Sequence, residues 1–317
     1  MHVISDYRDI MEILKNDDFF IEGRTEFNFK ISEHKLLRNN FRDFLHTNLS
    51  FILGQYESEW QKVLSATAHK IDFELVKDLV RPFCEGLTFN ILGIDDENVK
   101  PALIEYSMAI FYMKNSEYAK VNADKSTLEI ASFLSKHLVE QLTNDKDNIC
   151  SKFIIDKSEK SIAHLIQLLV GTLSSVPLML ANQILLLIKD EKFRIEYFSN
   201  PSEFSRKLIF LSGPMKNLYR IAGPQCPYDE GKRLKLDIKA AKNLIKVSNL
   251  SDNMPDLGLG YGMHACLGAS LIKSISEFFA KAFFDSFLKI KPDFESLKYG
   301  GSNDIEGLTA LRFQKIY

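Results

Sequence analysis

The run LGLGYGMHACLGASL, residues 257–271, holds one cysteine, Cys266, with His264 two positions before it. Glycines at 258, 260, 262 and 268 loosen the backbone on both sides. A thiol and an imidazole in such a loop admit several chemistries. A cysteine without context is a small buried hydrophobe. A nucleophilic cysteine needs a base within hydrogen-bond reach, and the spacing does not place His264 for that. Gly260, Gly262 and Ala265 satisfy GxGxxA, but a dinucleotide fingerprint follows a strand and is trailed by an acidic residue. The preceding LSDNMPDL does not read as a strand. A heme held through a cysteinate fits better. Glycines let backbone N–H groups turn toward sulfur, and the helical run SLIKSISEFFAKAFFDSFL that follows can pack against the porphyrin.

Most of the chain reads as helix. DYRDIMEILKND carries Ile10, Ile13 and Leu14 on one face. SEHKLLRNNFRDFLHTNL follows with Ser32 as its N-cap. FELVKDLVRPFCEGLTFNILGIDDENV reads as two helices bent at Pro82 and ending near Gly93. NADKSTLEIASFLSKHLVEQLTND is amphipathic. IAHLIQLLVGTLSSVPLMLANQILLLI is apolar nearly all round, hence central, and Pro177 predicts a kink in it. Only KRLKLDI and GLTALRF alternate as strands. The expectation is one domain over residues 1–317, mainly α with a small β portion. The 317 residues carry a net charge of −2, which gives no basic field for nucleic acid. The apolar run 165–188 is interrupted by Gln, Thr, Ser, Pro and Asn and reads as a buried helix, not a membrane span. MHVISDYRDI lacks the pattern of a signal peptide. Cys84, Cys150, Cys226 and Cys266 form no CxxC pair, which argues against structural zinc and for a reducing cytoplasm.

LGYGMHACLGASLIK resembles the heme loop of soluble bacterial cytochromes P-450, Phe-Gly-x-Gly-x-His-x-Cys-Leu-Gly-Ala-x-Leu. Gly260, Gly262, His264, Cys266, Leu267, Gly268, Ala269 and Leu271 match, and Leu259 stands where the family has Phe. The resemblance implies heme b with Cys266 as iron ligand and Gly260, Gly262 and Gly268 in its binding loop. EHKLLR resembles the family's His-x-x-x-Arg clamp, which implies His34 and Arg38 on the heme propionates. GPMKNLYR implies Arg220 as a further propionate donor, and His264 as another. VISDYRDIMEILKNDDF resembles the family's strand and B helix, DLVRPFCEGLTFNILGIDDENV, EGKRLKLDIKAAKN and EGLTALRF its later segments. Met1 aligns where the family's first helix and strands are complete, and 20–34 is short for the B–C loop. The implied architecture is a cytochrome P-450-like fold lacking the N-terminal helix and first strands, with less cover over the distal pocket.

Two departures bear on mechanism. The family's central helix carries Ala-Gly-x-(Asp/Glu)-Thr, whose acid and alcohol steer protons during dioxygen activation. Aligned on it, residues 170–175 give Gly171 as room for the bound ligand, Leu173 in place of the acid and Ser174 in place of the threonine. Gly171, Ser174 and Ser175 are the catalytic candidates. The alternative is that Thr172, Ser174 and Ser175 hydrogen-bond to helix carbonyls. The family's Glu-x-x-Arg falls on Lys207 and Phe210, with Glu203 and Arg206 one turn earlier. The resemblance implies a monooxygenase acting on a small or carrier-bound metabolite in bacterial secondary metabolism. Electrons would come from ferredoxin or flavodoxin docking near Lys35, Arg42 and Lys273. Two alternatives stay open: peroxide-dependent oxidation, dehydration, rearrangement or coupling at a heme-thiolate, and a non-catalytic relative. No nucleic-acid or membrane partner is expected, and the sequence does not set the oligomeric state.

Overall fold

A computed structural model of the chain describes residues 1–20, 31–111, 117–143, 159–244 and 257–316. Cys150, most of 20–34 and nearly all of LSDNMPDL lie outside the described residues, as do the side chains of His34, Lys35 and Met263. The chain opens with β1 (His2–Ile4), α1 (Tyr7–Lys15) and β2 (Phe19–Phe20). Asp6 caps α1 by accepting from the amides of Arg8 and Asp9. Next come α2 (Ile31–Thr47), α3 (Leu49–Thr67), β3 (Asp72–Glu74), α4 (Arg81–Leu92), α5 (Lys100–Phe111) and α6 (Glu117–Thr143). The helix α2 already starts at Ile31, so Ser32 lies inside it and is not its N-cap.

The expected bend at Pro82 is not there. Asp72–Glu74 is a strand, and Leu75–Val80 forms a wide π turn capped by the Glu74 carboxylate. Pro82 sits in the first turn of α4, where a missing N–H leaves no bond unmade. Gly93 ends α4 in the left-handed conformation, φ 65°.

The central helix comprises α7 (Glu159–Val170), a wide turn over Gly171–Ser175, and α8 (Val176–Lys189). Its distortion precedes Pro177 instead of centring on it. The Val176 N–H reaches five residues back to the Gly171 carbonyl, and Pro177 falls in the first turn of α8. The stretch Ile162–Lys189 is long and apolar enough to cross a membrane, yet 67% of its apolar window is buried inside the protein. It packs among α4, α5 and the later helices as the sequence predicts for a central element.

The remaining elements are α9 (Glu191–Ser199), α10 (Pro201–Ser212), β4 (Asn217–Ala222), β5 (Arg233–Asp237), α11 (Ile238–Leu244), α12 (Ala269–Ser286), β6 (Ile290–Gly301) and β7 (Glu306–Lys315). One sheet runs β1-β5-β4-β2, with β1 parallel to β5 and the other pairs antiparallel. It covers α1 and α11 through Ile10, Leu14, Leu234, Leu236 and Ile238. The second runs β3-β7-β6, with Phe73 opposite Phe313. KRLKLDI and GLTALRF fall on β5 and β7 as expected. The strand β4 had no apolar alternation to betray it, because one of its buried positions is Arg220.

Aromatic packing fixes α12, which leads away from Cys266. Trp60 of α3 meets Phe83, Phe279 and Phe287 edge-on, with ring centroids at 6.1, 5.3 and 6.4 Å. Phe283 sits between Phe287 and Phe313. The helix behind the cysteine is thereby anchored to α3, α4 and the second sheet.

Candidate functional site

The loop ahead of α12 is made of two single turns, Leu257–Leu259 and Gly262–His264, hinged at Gly260. Gly260 and Gly262 have φ of 70° and 69°, a conformation side chains disfavour. A Cβ on Gly262 would sit 2.1 Å from the carbonyl oxygen of Leu14 at the end of α1. Glycine at 262 is therefore required twice, by backbone angle and by close approach. The Cys266 amide donates to the Leu259 carbonyl at 2.7 Å, closing the loop. That amide is therefore engaged by the loop itself. The sulfur instead faces the start of α12, whose first N–H groups lack helical acceptors. A Cβ on Gly268 would lie 3.9 Å from the Cys266 sulfur, an ordinary contact, so this glycine is not demanded by crowding within the chain.

Cys266 lines a cavity of about 270 Å³. On one side lie the loop from His264 to Gly268 and Leu271, Ile272 and Ile275 of α12. Gly171, Thr172, Ser175 and Val176 of the central helix also line it. The lining is completed by Arg38, Phe41 and Leu45 of α2, by Cys84, Leu87 and Ile91 of α4, and by Gln167 and Leu168 of α7. A Cβ built on Gly171 meets nothing within 4 Å, so there is free space beside Gly171 on the wall it lines. Gln167 and Cys84 were not singled out from sequence. Gln167 is four residues before Gly171, a spacing that reveals the shared face once the helix is known. Nothing in the sequence marks Cys84, whose helix is needed to bring it here.

Arg38 stands at the cavity edge and donates to the Ala265 carbonyl, next to Cys266. Burial lowers its pKa, against the opposing effect of the Cys266 charge, and Arg42 lowers it further. Arg220 is not on the cavity wall. It is 5% exposed on β4, and burial pulls its pKa down to about 10. Its Nη1 donates to the Tyr219 carbonyl at 2.8 Å, and among the described residues no carboxylate pairs with it. A buried guanidinium without a counter-ion is costly, and this one suits an anionic ligand.

The central helix corrects the alignment made from sequence. Ser175 lines the cavity, whereas Ser174 is 1% exposed and turned into the packing with Leu173. The wide turn keeps Gly171 and Ser175 on one side, four residues apart. Ser175, and not Ser174, therefore shares the cavity wall with Gly171. Ser175 Oγ donates to the Gly171 carbonyl at 3.0 Å and Thr172 Oγ1 to that of Leu168 at 2.8 Å. Back-bonding to helix carbonyls thus holds for Thr172 and Ser175 but not for Ser174. Among the described wall residues there is no Asp or Glu.

Glu203 and Arg206 both lie on the solvent side of α10 and do not replace the buried Glu-x-x-Arg pair. Phe210, at the arginine's position, is packed with Leu234 and Leu236 beneath the first sheet, an apolar substitute for a buried ion pair. Arg42 is exposed 3.7 Å from Asp43, and Lys273 is 3.9 Å from Glu277.

The sequence matches no model of a known protein family and no curated protein. Its structure does match solved ones. P450BioI in complex with an acyl carrier protein ligated to hexadec-9Z-enoic acid superposes with a TM-score of 0.81 at 15% identity, over 99% of this chain and 92% of that one. CYP109B1, a cytochrome P450 enzyme from Bacillus subtilis, gives 0.83 at 17% identity, over 98% and 92%. An unusual cytochrome P450-like monooxygenase involved in microbial secondary metabolism gives 0.84 at 15% identity, over 99% and 92%. The chain has the cytochrome P450 fold.

Proposed function

We propose that this protein is a heme-thiolate oxidoreductase that binds heme b through Cys266. The observation that carries the reading is an apolar cavity lined by the Cys266 thiol of the glycine loop and by Gly171 of the central helix, beside which space is open. The residues present fit the group. The walls suit a flat apolar macrocycle, Arg38 and His264 stand at the edge where propionates need cations, and Arg220 is a buried cation in want of an anion. Arg38 and the N-terminus of α12 set a positive field at the Cys266 sulfur, which matches a cysteinate. When bound, the heme supplies oxygen activation, with electron donation from the thiolate. The chain's own residues do the rest. Gly171 leaves room, Ser175 Oγ presents a hydroxyl to the reacting side, and the leucines and isoleucines exclude water.

The substrate is a small or carrier-bound metabolite, a reading supported by the likeness to P450BioI and to enzymes of secondary metabolism. The setting is the cytoplasm, with ferredoxin or flavodoxin as electron donor near Arg42 and Lys273. The absence of a carboxylate from the described wall favours one second reading, peroxide-driven oxidation or another heme-thiolate reaction without the proton relay. The deciding experiment is the ferrous carbonyl spectrum of the purified protein, followed by turnover with ferredoxin and NAD(P)H against turnover with peroxide. A red-shifted Soret band establishes the thiolate. Turnover by peroxide alone selects the second reading. Protein without heme, even when supplied with it, sinks both.

Arg220 gives a test with opposite signs. Arg220→Met removes a buried charge, so the heme-free protein should keep or gain thermal stability. The same variant should release heme at least tenfold faster, because a charge-assisted hydrogen bond is lost. Unchanged heme release, read by transfer to apomyoglobin, would show that Arg220 holds no propionate.

A further inference from the structure

Most polar groups on the cavity wall are already engaged by the chain. Thr172 and Ser175 each have one hydroxyl proton, and both donate it to carbonyls of their own helix, at 2.8 and 3.0 Å. Toward the cavity they offer lone pairs only. Arg38 donates to the Ala265 carbonyl beside Cys266. Gln167 is different. It lines the same cavity from α7, and it is exposed between the buried Ile166 and Leu168. Its carboxamide makes no hydrogen bond among the described residues. Helical spacing sets it on the face of Gly171, about 6 Å back along the axis.

What this wall can recognise follows from its donors and acceptors. A cationic substrate needs a carboxylate, and the described wall has none. A free carboxylate needs donors. Along the central helix it meets the lone pairs of Thr172 and Ser175 and leaves the Gln167 carbonyl oxygen unmatched. A charge brought into an apolar cavity without its partner is costly. A plain hydrocarbon leaves the carboxamide dry and unpaired. A carboxamide presents N–H donors and a carbonyl acceptor on one planar head, and the neutral group that answers both at once is another amide. We propose that Gln167 is a specificity-determining residue and that the substrate is a neutral, mainly apolar amide. The substrate carbonyl accepts from the Gln167 amide, and the substrate N–H donates to the Gln167 carbonyl oxygen. The apolar body then runs along the wall toward the open space beside Gly171. Selection of this kind is strong, because a site that hydrogen-bonds its ligand is left with unmet groups by an analogue that lacks the match. That the bound amide is oxidised rests on the heme-thiolate reading; that it binds through Gln167 does not.

The test is calorimetric titration of the purified protein with octanamide, octanoate and octylamine, which share one chain and differ in the head group. The wild type should bind octanamide at least tenfold more tightly than either charged probe. Gln167→Leu should erase that preference, and Gln167→Glu should transfer it to octylamine, whose ammonium pairs with the new carboxylate. Gln167 is exposed, so both variants keep the core intact. Octanamide that binds no better than the charged probes, or not at all, overturns the proposal. An amide preference that survives Gln167→Leu overturns it too, by placing the amide on another group. Octanoate bound most tightly, with Gln167→Leu indifferent, would put an anionic substrate on Arg38 instead. The carbonyl spectrum of the same samples separates this outcome from the heme reading. Samples without the red-shifted band that still discriminate through Gln167 remove the heme and leave an amide-binding cavity. Samples with the band and no discrimination remove the amide alone.

Discussion

Cys266→Ser abolishes the red-shifted carbonyl band. The variant folds, because the sulfur is half-buried and the loop is closed by its backbone. The Cys266 amide donates to the Leu259 carbonyl, and serine keeps that amide. A serine hydroxyl fits the same space but does not ionise near neutral pH, so it offers iron a neutral oxygen where cysteine offers a soft anionic sulfur. Heme that still enters the cavity is held by its apolar faces and propionates and gives an unshifted band. Heme content falls, and activity falls to background because the thiolate's electron donation is gone. The check is the ferrous carbonyl spectrum beside a heme assay on equal amounts of protein. A band indifferent to the substitution would place the iron elsewhere. Cys84, the other thiol on the wall, then becomes the residue to replace, although burial strongly raises its pKa and disfavours its thiolate.

How much of this was legible in the sequence depends on whether the signal was local. The cysteine loop was, because glycines at fixed offsets from a cysteine mark a backbone that side chains disfavour, and Gly260 and Gly262 do take a positive φ. The central helix was legible in its apolarity but not in its phase. One extra residue in the wide turn moves every following side chain around the axis, and that was enough to exchange Ser174 for Ser175 at the wall. Proline marks where a helix is troubled, not how it accommodates the trouble. Pro82 and Pro177 both ended up in first turns with wide turns ahead of them. Strand β4 was hidden because its buried arginine breaks the apolar alternation, and β6 because none of its residues is fully buried. The cavity wall from α4 was invisible for a different reason. Cys84, Leu87 and Ile91 form an ordinary apolar stripe, and only tertiary packing turns part of that stripe toward Cys266.

Gly262→Ala should cost more than Gly260→Ala, although the two glycines have nearly the same φ. Placing any side chain in the left-handed conformation costs about 1–2 kcal/mol. At Gly260 little else is added, since a Cβ there would lie 3.3 Å from the His264 carbonyl oxygen, which can give by a few tenths of an ångström. At Gly262 the new methyl runs into one peptide unit at the end of α1: the Leu14 oxygen at 2.1 Å, the Leu14 carbon at 3.0 Å and the Lys15 Cα at 3.1 Å. None of these is a flexible chain end, so either the loop lifts from α1 or α1 is pushed from the first sheet. Its buried Ile10, Ile13 and Leu14 resist the second route. The expected loss is about 3 kcal/mol or more for Gly262→Ala, against about 1 kcal/mol for Gly260→Ala. The lifted loop carries His264 and Cys266 with it, so heme retention drops in step with stability. Thermal unfolding and heme content of the two variants, measured together, check the order. The heme that Gly262→Ala does retain should still show the red-shifted carbonyl band, because the ligand is unchanged and only its platform has moved. Equal losses in the two variants would mean that the contact with α1 does not hold the loop in place.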